Sequence, residues 1–219
     1  GKHHLPEDIQ SLSFLQTAAL CKKALPDGRR RVFHARRNDE VIQALALKVI
    51  FRAKISIAFT ATSQRQHSWI TRLLIRQCDA VITTCSGANQ YIKGGADIII
   101  PHGIDINTYS PAKHKAELWR ELGFPGEYGI GVFGRVRKQK GIDLLVKAAI
   151  PLLKKHPNFT VVICGKVMTK DEPYVNELKK TIQDNQLTDR FLFLGEQPFS
   201  KIPELMRAMS IVSALSRKI

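Results

Sequence analysis

The sequence contains no C-x-x-C pair, no H-E-x-x-H and no close pairing of its four cysteines with its seven histidines. These absences remove the common zinc and iron–sulfur frameworks and leave no residue set for a metal centre. Cys21, Cys78, Cys85 and Cys164 read instead as small buried thiols of a reducing compartment. No run approaches the eighteen or so apolar residues of a membrane-spanning helix. The stretch Gly1-Lys-His-His-Leu-Pro-Glu-Asp8 also lacks the apolar core of a secretory signal, so cytoplasmic residence is the default expectation. Aromatic residues are 7% of the chain and few of them interleave with the scattered basic ones, unlike a nucleic-acid stacking platform.

Acidic residues are also scarce, 19 against 34 lysines and arginines, for a net charge of +15 over 219 residues. Such an excess calls for an anionic partner: nucleic acid, phosphorylated lipid or an acidic membrane face. Residues 1–112 hold 15 basic against 8 acidic side chains, and the remainder 19 against 11. The charge is therefore shared by both halves, and composition does not choose among those partners.

Apolar periodicity predicts helices over residues 1–25, 39–52 (with Asp39 as N-cap), 69–76, 88–92 (with Ser86 as cap), 113–122, 142–155, 173–184 and 201–209. Pro151 falls inside the sixth of these, where a proline costs about 3 kcal/mol unless the helix kinks or ends. Short apolar runs predict strands at 31–35, 55–59, 79–84, 97–100, 130–133, 159–164, 187–195 and 211–215. Four strands precede Pro101 and four follow Gly129, each group alternating with helices. The expectation is an α/β chain of two Rossmann-like units with parallel sheets, residues 1–112 and 113–219.

The chain is organised around Gly129-Ile-Gly-Val-Phe-Gly-Arg-Val-Arg-Lys-Gln-Lys-Gly141. It reads as a buried strand, a glycine turn at Gly134, a loop with Arg135, Arg137, Lys138 and Lys140, and then a helix. Cations beside a helix N-terminus, with its unpaired N–H groups, favour an anion such as a diphosphate. Two other readings compete. One is a solvated charge run. The other is a dinucleotide fingerprint, since Gly129, Gly131 and Gly134 spell G-x-G-x-x-G; that motif needs its strand in front, whereas here the glycines bracket the strand.

The pattern G-R-x-x-x-x-K-G between strand and helix resembles the donor-phosphate loop of the retaining family 4 glycosyltransferases, whose fold is GT-B. Gly103, Ile104, Asp105, Tyr109 and Pro111 resemble that family's interdomain signature, and Leu187–Gly195 follows its pattern again. His34-Ala-Arg-Arg-Asn38, Ser63-Gln-Arg-Gln-His67 and Phe133–Gly141 together are similar to one subgroup, the mannosyltransferases of lipopolysaccharide core assembly.

The resemblance implies transfer of mannose from GDP-mannose to the lipid A-core acceptor, with retention at the anomeric carbon. A UDP donor such as UDP-glucose is the alternative. It implies no cofactor and no obligatory metal, because the cationic loop neutralises the leaving diphosphate. Its partners would be the nucleotide sugar and the anionic acceptor, with peripheral contact at the inner membrane and no nucleic acid. Arg135 and Lys140 would hold the diphosphate, and Gly134 would let the backbone approach it. Gly195, Glu196 and Gln197 would face the nucleobase. His34, Arg36, Arg37 and His67 would serve the acceptor or the cleft, and a histidine satisfied by backbone is the other reading of His34. Relatives carry a histidine where this chain has Ala61 and Thr62. They also begin with a strand and glycine-rich loop and continue into an acidic E-x7-E stretch, neither of which is seen here. Both sheets are accordingly expected to be incomplete: a fragment with weak diphosphate affinity and little transferase activity. A basic nucleic-acid-binding protein and a nicotinamide enzyme remain as rivals from other classes.

Overall fold

The computed structural model describes residues 9–23 and 25–217. The chain divides into two compact units, at Gly103/Ile104. The first holds β1 (Arg31–Ala35), β2 (Ile55–Ala61), β3 (Ala80–Thr83) and β4 (Ile98–Ile99), all parallel and in sequential order. Its helices are α1 (Phe14–Lys22), α2 (Asn38–Val49), α3 (Trp69–Ile75) and α4 (Ser86–Asn89). Apolar side chains on alternating strand positions feed two clusters. Ile55 and Ile57 join Ala44 and Leu47 of α2 with Ala18 and Cys21 of α1, whereas Ala35, Phe59 and Ala61 pack with Val41, Leu74 and Ile92.

The second unit holds α5 (Lys115–Glu121), β5 (Tyr128–Phe133), α6 (Ile142–Lys155), β6 (Phe159–Cys164), α7 (Glu172–Asp184), β7 (Phe191–Gly195), α8 (Ile202–Ala208) and β8 (Ile211–Ser213). Its parallel strands lie in the order β7-β6-β5-β8. Val161 and Ile163 face α6 and α7, while Val162 between them faces Trp119, Ala208 and Met209 on the other side. A strand covered on both faces reads as an unbroken apolar run, as Phe159–Cys164 does. No helix among the described residues is long and apolar enough to cross a membrane.

Several sequence expectations need correction. Of residues 1–25, the helix occupies Phe14–Lys22, capped by Ser13 with Gln16 answering its backbone; residues 1–8 and 24 lie outside the described residues. Asp39 does not cap α2. The N-cap is Arg37, and the Glu40 carboxylate accepts the backbone N–H groups of Arg36 at 2.6 Å and Arg37 at 3.2 Å. Ser86 is the first residue of α4 rather than its cap. Residues 188–190 form a 3-10 turn before β7, not the start of a strand. Pro151 neither ends nor splits α6, which continues to Lys155. The carbonyl deprived of its donor belongs to Lys147, which is exposed as Pro151 is, so the missing bond falls on the solvent side of the helix. The buried stripe is Ile142, Leu145, Val146, Ala149 and Leu153, leaving Leu144 at the surface.

Candidate functional site

In the second unit the chain builds β5, β6 and β7 toward one edge and then returns to place β8 on the other side of β5. Ligands of open parallel sheets sit beyond the strand C-termini at such a reversal. The residue that leaves β5 there is Gly134, at φ +121°, with its N–H bonded to the Cys164 carbonyl at 2.9 Å. A Cβ at Gly134 would meet nothing within 4 Å, so the space over this turn is open. From the neighbouring strand end, Gly165 presses directly on the Gly134 carbonyl and leaves no room for a side chain. Gly165 in turn donates to the Gly195 carbonyl at 2.8 Å. The ends of β5, β6 and β7 thus form one backbone shelf.

The cationic loop is pinned at two points. Buried Val136 donates its N–H to the Lys166 carbonyl at 3.0 Å, adding a bridge beyond the end of the sheet. Lys138–Lys140 form one 3-10 turn closed by left-handed Gly141, which abuts the Leu215 backbone. Arg217 donates its backbone N–H to the Gln139 carbonyl at 2.9 Å and pairs its guanidinium with Asp143. In this loop Arg135 is exposed and Lys140 half-buried. Among the described residues neither is ion-paired with an acid.

The N-terminus of α6 is less open than the sequence implies. Its Asp143 N–H donates to the Tyr174 hydroxyl at 3.0 Å, and that hydroxyl donates to the Asp143 carboxylate at 3.0 Å. Burial raises the Asp143 pKa, but Arg217 and the Tyr174 hydroxyl outweigh it and hold the carboxyl below its usual range. Burial, with the adjoining carboxylate, pushes Tyr174 up to about 12. An anion here would answer to loop cations more than to the helix end. Gly129 and Gly131 play no ligand role either: a Cβ on them would strike Trp119 and Met209 respectively, so they are packing glycines and the dinucleotide fingerprint is accidental.

The turn after β7 is partly committed internally. Gly195 is left-handed, Glu196 pairs with Lys166 at 2.9 Å, and Gln197 Nε2 donates to the Leu194 carbonyl at 2.7 Å.

In the first unit a cavity of about 480 Å³ opens where β1 and β2 end, lined by Arg36, Thr60, Ser63, Arg65, His67 and Thr71 among others. Arg36 and His67 are therefore brought together as the sequence suggested. His34 is not among its lining residues; it hydrogen-bonds to Thr60 Oγ1 at 2.7 Å, a side-chain partner rather than a backbone one. Arg37 is also absent from the lining. Burial, then the neighbouring Arg65 charge, lowers the His67 pKa from its ordinary value and favours the uncharged ring. Its Nε2 is buried without a hydrogen-bond partner. Sequence reasoning missed Arg65 and Thr71; Arg65 lies within the motif it quoted, but only the fold shows that it faces the cavity.

Two Rossmann-like units of parallel sheet, the second with a cationic glycine turn at its strand reversal, give the chain the fold class of the GT-B proteins. Residues 115–218 match the family model described as Glycosyl transferases group 1. It is 38% identical over 198 residues to the lipopolysaccharide core biosynthesis mannosyltransferase LpcC of Rhizobium leguminosarum bv. viciae, covering 90% of this chain and 56% of that protein. It is also 38% identical over 215 residues to LpsB of Rhizobium meliloti (strain 1021), a protein of the same description, covering 97% and 60%. The chain thus spans somewhat more than half the length of the curated relatives it matches. In fold, it is similar to Anabaena Alr3699/HepE solved in complex with UDP, with a TM-score of 0.74 at 20% identity, over 93% of this chain and 56% of that one.

Proposed function

We propose that this chain acts in a retaining glycosyltransferase that moves mannose from GDP-mannose to a lipopolysaccharide core acceptor, on the cytoplasmic side and in peripheral contact with the membrane. The observation that carries the reading is the 38% identity to two core mannosyltransferases over nearly the whole chain. Arg135 and Lys140 support it: both follow the open Gly134 turn in one loop and have no acidic partners among the described residues.

As the glycosidic bond to the diphosphate breaks, negative charge builds on the leaving oxygen. Arg135 offers a planar fork of donors to it, and Lys140 a compact ammonium. Gly134 leaves the phosphates room against the backbone. Gly195, Glu196 and Gln197 border the same shelf at the side reserved for the base. Arg36, assisted by Arg65, holds an anionic group of the acceptor, and His67 offers a hydrogen bond through its unpartnered Nε2. His34 positions Thr60, and Arg37 contributes charge outside the cavity. A UDP donor is the second reading, supported by the UDP bound to the structurally similar HepE.

Calorimetric titration of the chain with GDP and with UDP tests this. GDP is expected to bind more tightly. Arg135→Gln and Lys140→Gln should each weaken it about 10- to 100-fold, since hydrogen bonds to charged groups contribute about 1.5–3 kcal/mol. Unchanged GDP affinity in both variants would overturn the assignment of the loop, and preference for UDP would replace the donor.

A further inference from the structure

A second and larger cavity in the first unit, about 770 Å³, lies between α3 and the Gln90–Gly94 segment. Arg72, Arg76 and Lys93 line it, and no aspartate or glutamate does. Arg72 and Arg76 are one helical turn apart and so repel each other. Among the described residues, none of the three cations is ion-paired with an acid. Tyr91 adds a half-buried ring and Gln90 an amide, while His67 lines both this cavity and the smaller one. Uncompensated like charges do not help the fold, whereas a bound anion would relieve them. A concave site combining a guanidinium fork, an amide and an aromatic face suits a charged sugar: the ring packs flat on Tyr91 while its anion meets the arginines.

We infer that this groove binds an anionic sugar, one carrying a phosphate or a carboxylate, through Arg72, Arg76 and Lys93. It lies in the first unit, whereas the diphosphate loop belongs to the second. Assigning the sugar to the glycosyl acceptor rests on the transfer reaction proposed above; binding by the groove does not.

The test is titration of the isotopically labelled chain with glucose 6-phosphate, glucuronate, glucose and inorganic phosphate, followed by amide chemical shifts. One or both sugar anions are expected to shift residues 66–76 and 90–94 saturably, and whichever does so names the anionic group. Glucose should have no effect, and inorganic phosphate should bind more weakly than the sugar anion. Arg72→Gln with Arg76→Gln, both at exposed positions, should weaken binding at least tenfold, and Lys93→Gln alone should weaken it measurably. Circular dichroism confirms that each variant is folded. Arg135→Gln should leave the groove untouched, so failure of the donor reading shows separately, as GDP binding that this substitution does not alter. Shifts mapping elsewhere, affinity indifferent to all three substitutions, or equal binding of glucose would overturn the inference. So would binding only to anionic phosphatidylglycerol vesicles, which would make the cations a membrane-facing surface instead.

Discussion

At the scale of single residues, the donor loop depends on a contact between two glycines. Gly165 sits at φ +151° with the Gly134 carbonyl where its side chain would be. Gly165→Ala therefore has to push the loop outward; the expected cost is about 1–3 kcal/mol, as for other overpacked sites. Thermal unfolding should show a lowered midpoint, and GDP titration a weakened loop, the second being absent if Gly165 were merely a core position. Gly134→Ala meets open space and differs in kind: it strains the backbone without a clash. Asp79 offers a pH test. The Ile57 N–H at 2.7 Å, followed by Lys48 at 3.0 Å, holds its carboxyl below the usual range. A depressed carboxylate stabilises the fold above its unfolded pKa of about 3.9, and this is lost as pH falls through the lower folded value. The stability gap between wild type and Asp79→Asn should thus be constant above about pH 5 and shrink at lower pH in urea-denaturation midpoints.

At the scale of elements, a strand such as Phe159–Cys164 is legible in the sequence because a parallel strand buried on both faces produces an apolar run with sharp edges. Arg31–Ala35 and Phe159–Cys164 coincide with β1 and β6. Helix ends were less legible, since caps depend on which side chain reaches back: Glu40 closes the start of α2 from within the helix, and Asp39 beside it does not. The proline in α6 gives a prediction at this level. Pro151→Ala restores a donor for the exposed Lys147 carbonyl without disturbing the buried stripe. A gain of about 2 kcal/mol is expected, the helix penalty of proline less the unfolded-state entropy it had removed. Calorimetric unfolding checks it; an unchanged midpoint would mean that α6 accommodates the proline without the usual helix penalty.

For the whole molecule, the +15 charge and the donor loop make separable predictions. Retention on heparin should fall steeply with salt, because it measures total charge through counterion release. The double variant Arg135→Gln with Lys140→Gln should elute only slightly earlier from heparin while losing GDP binding. Equal loss of both would return the chain to the nucleic-acid-binding class that its composition allowed.

The sequence by itself determined the alternation of strands and helices, the two parallel sheets and the glycine turn with Arg135 and Lys140 behind β5. All of these depend on local periodicity and on neighbours a few places apart. Only the tertiary structure decided that β8 returns beside β5 to create the reversal, that Gly129 and Gly131 serve Trp119 and Met209, and that Tyr174 occupies the start of α6. It also decided that Arg72, Arg76 and Lys93 line one groove. Those facts join residues tens of positions apart, or depend on which way a side chain faces, and no spacing along a single chain encodes them.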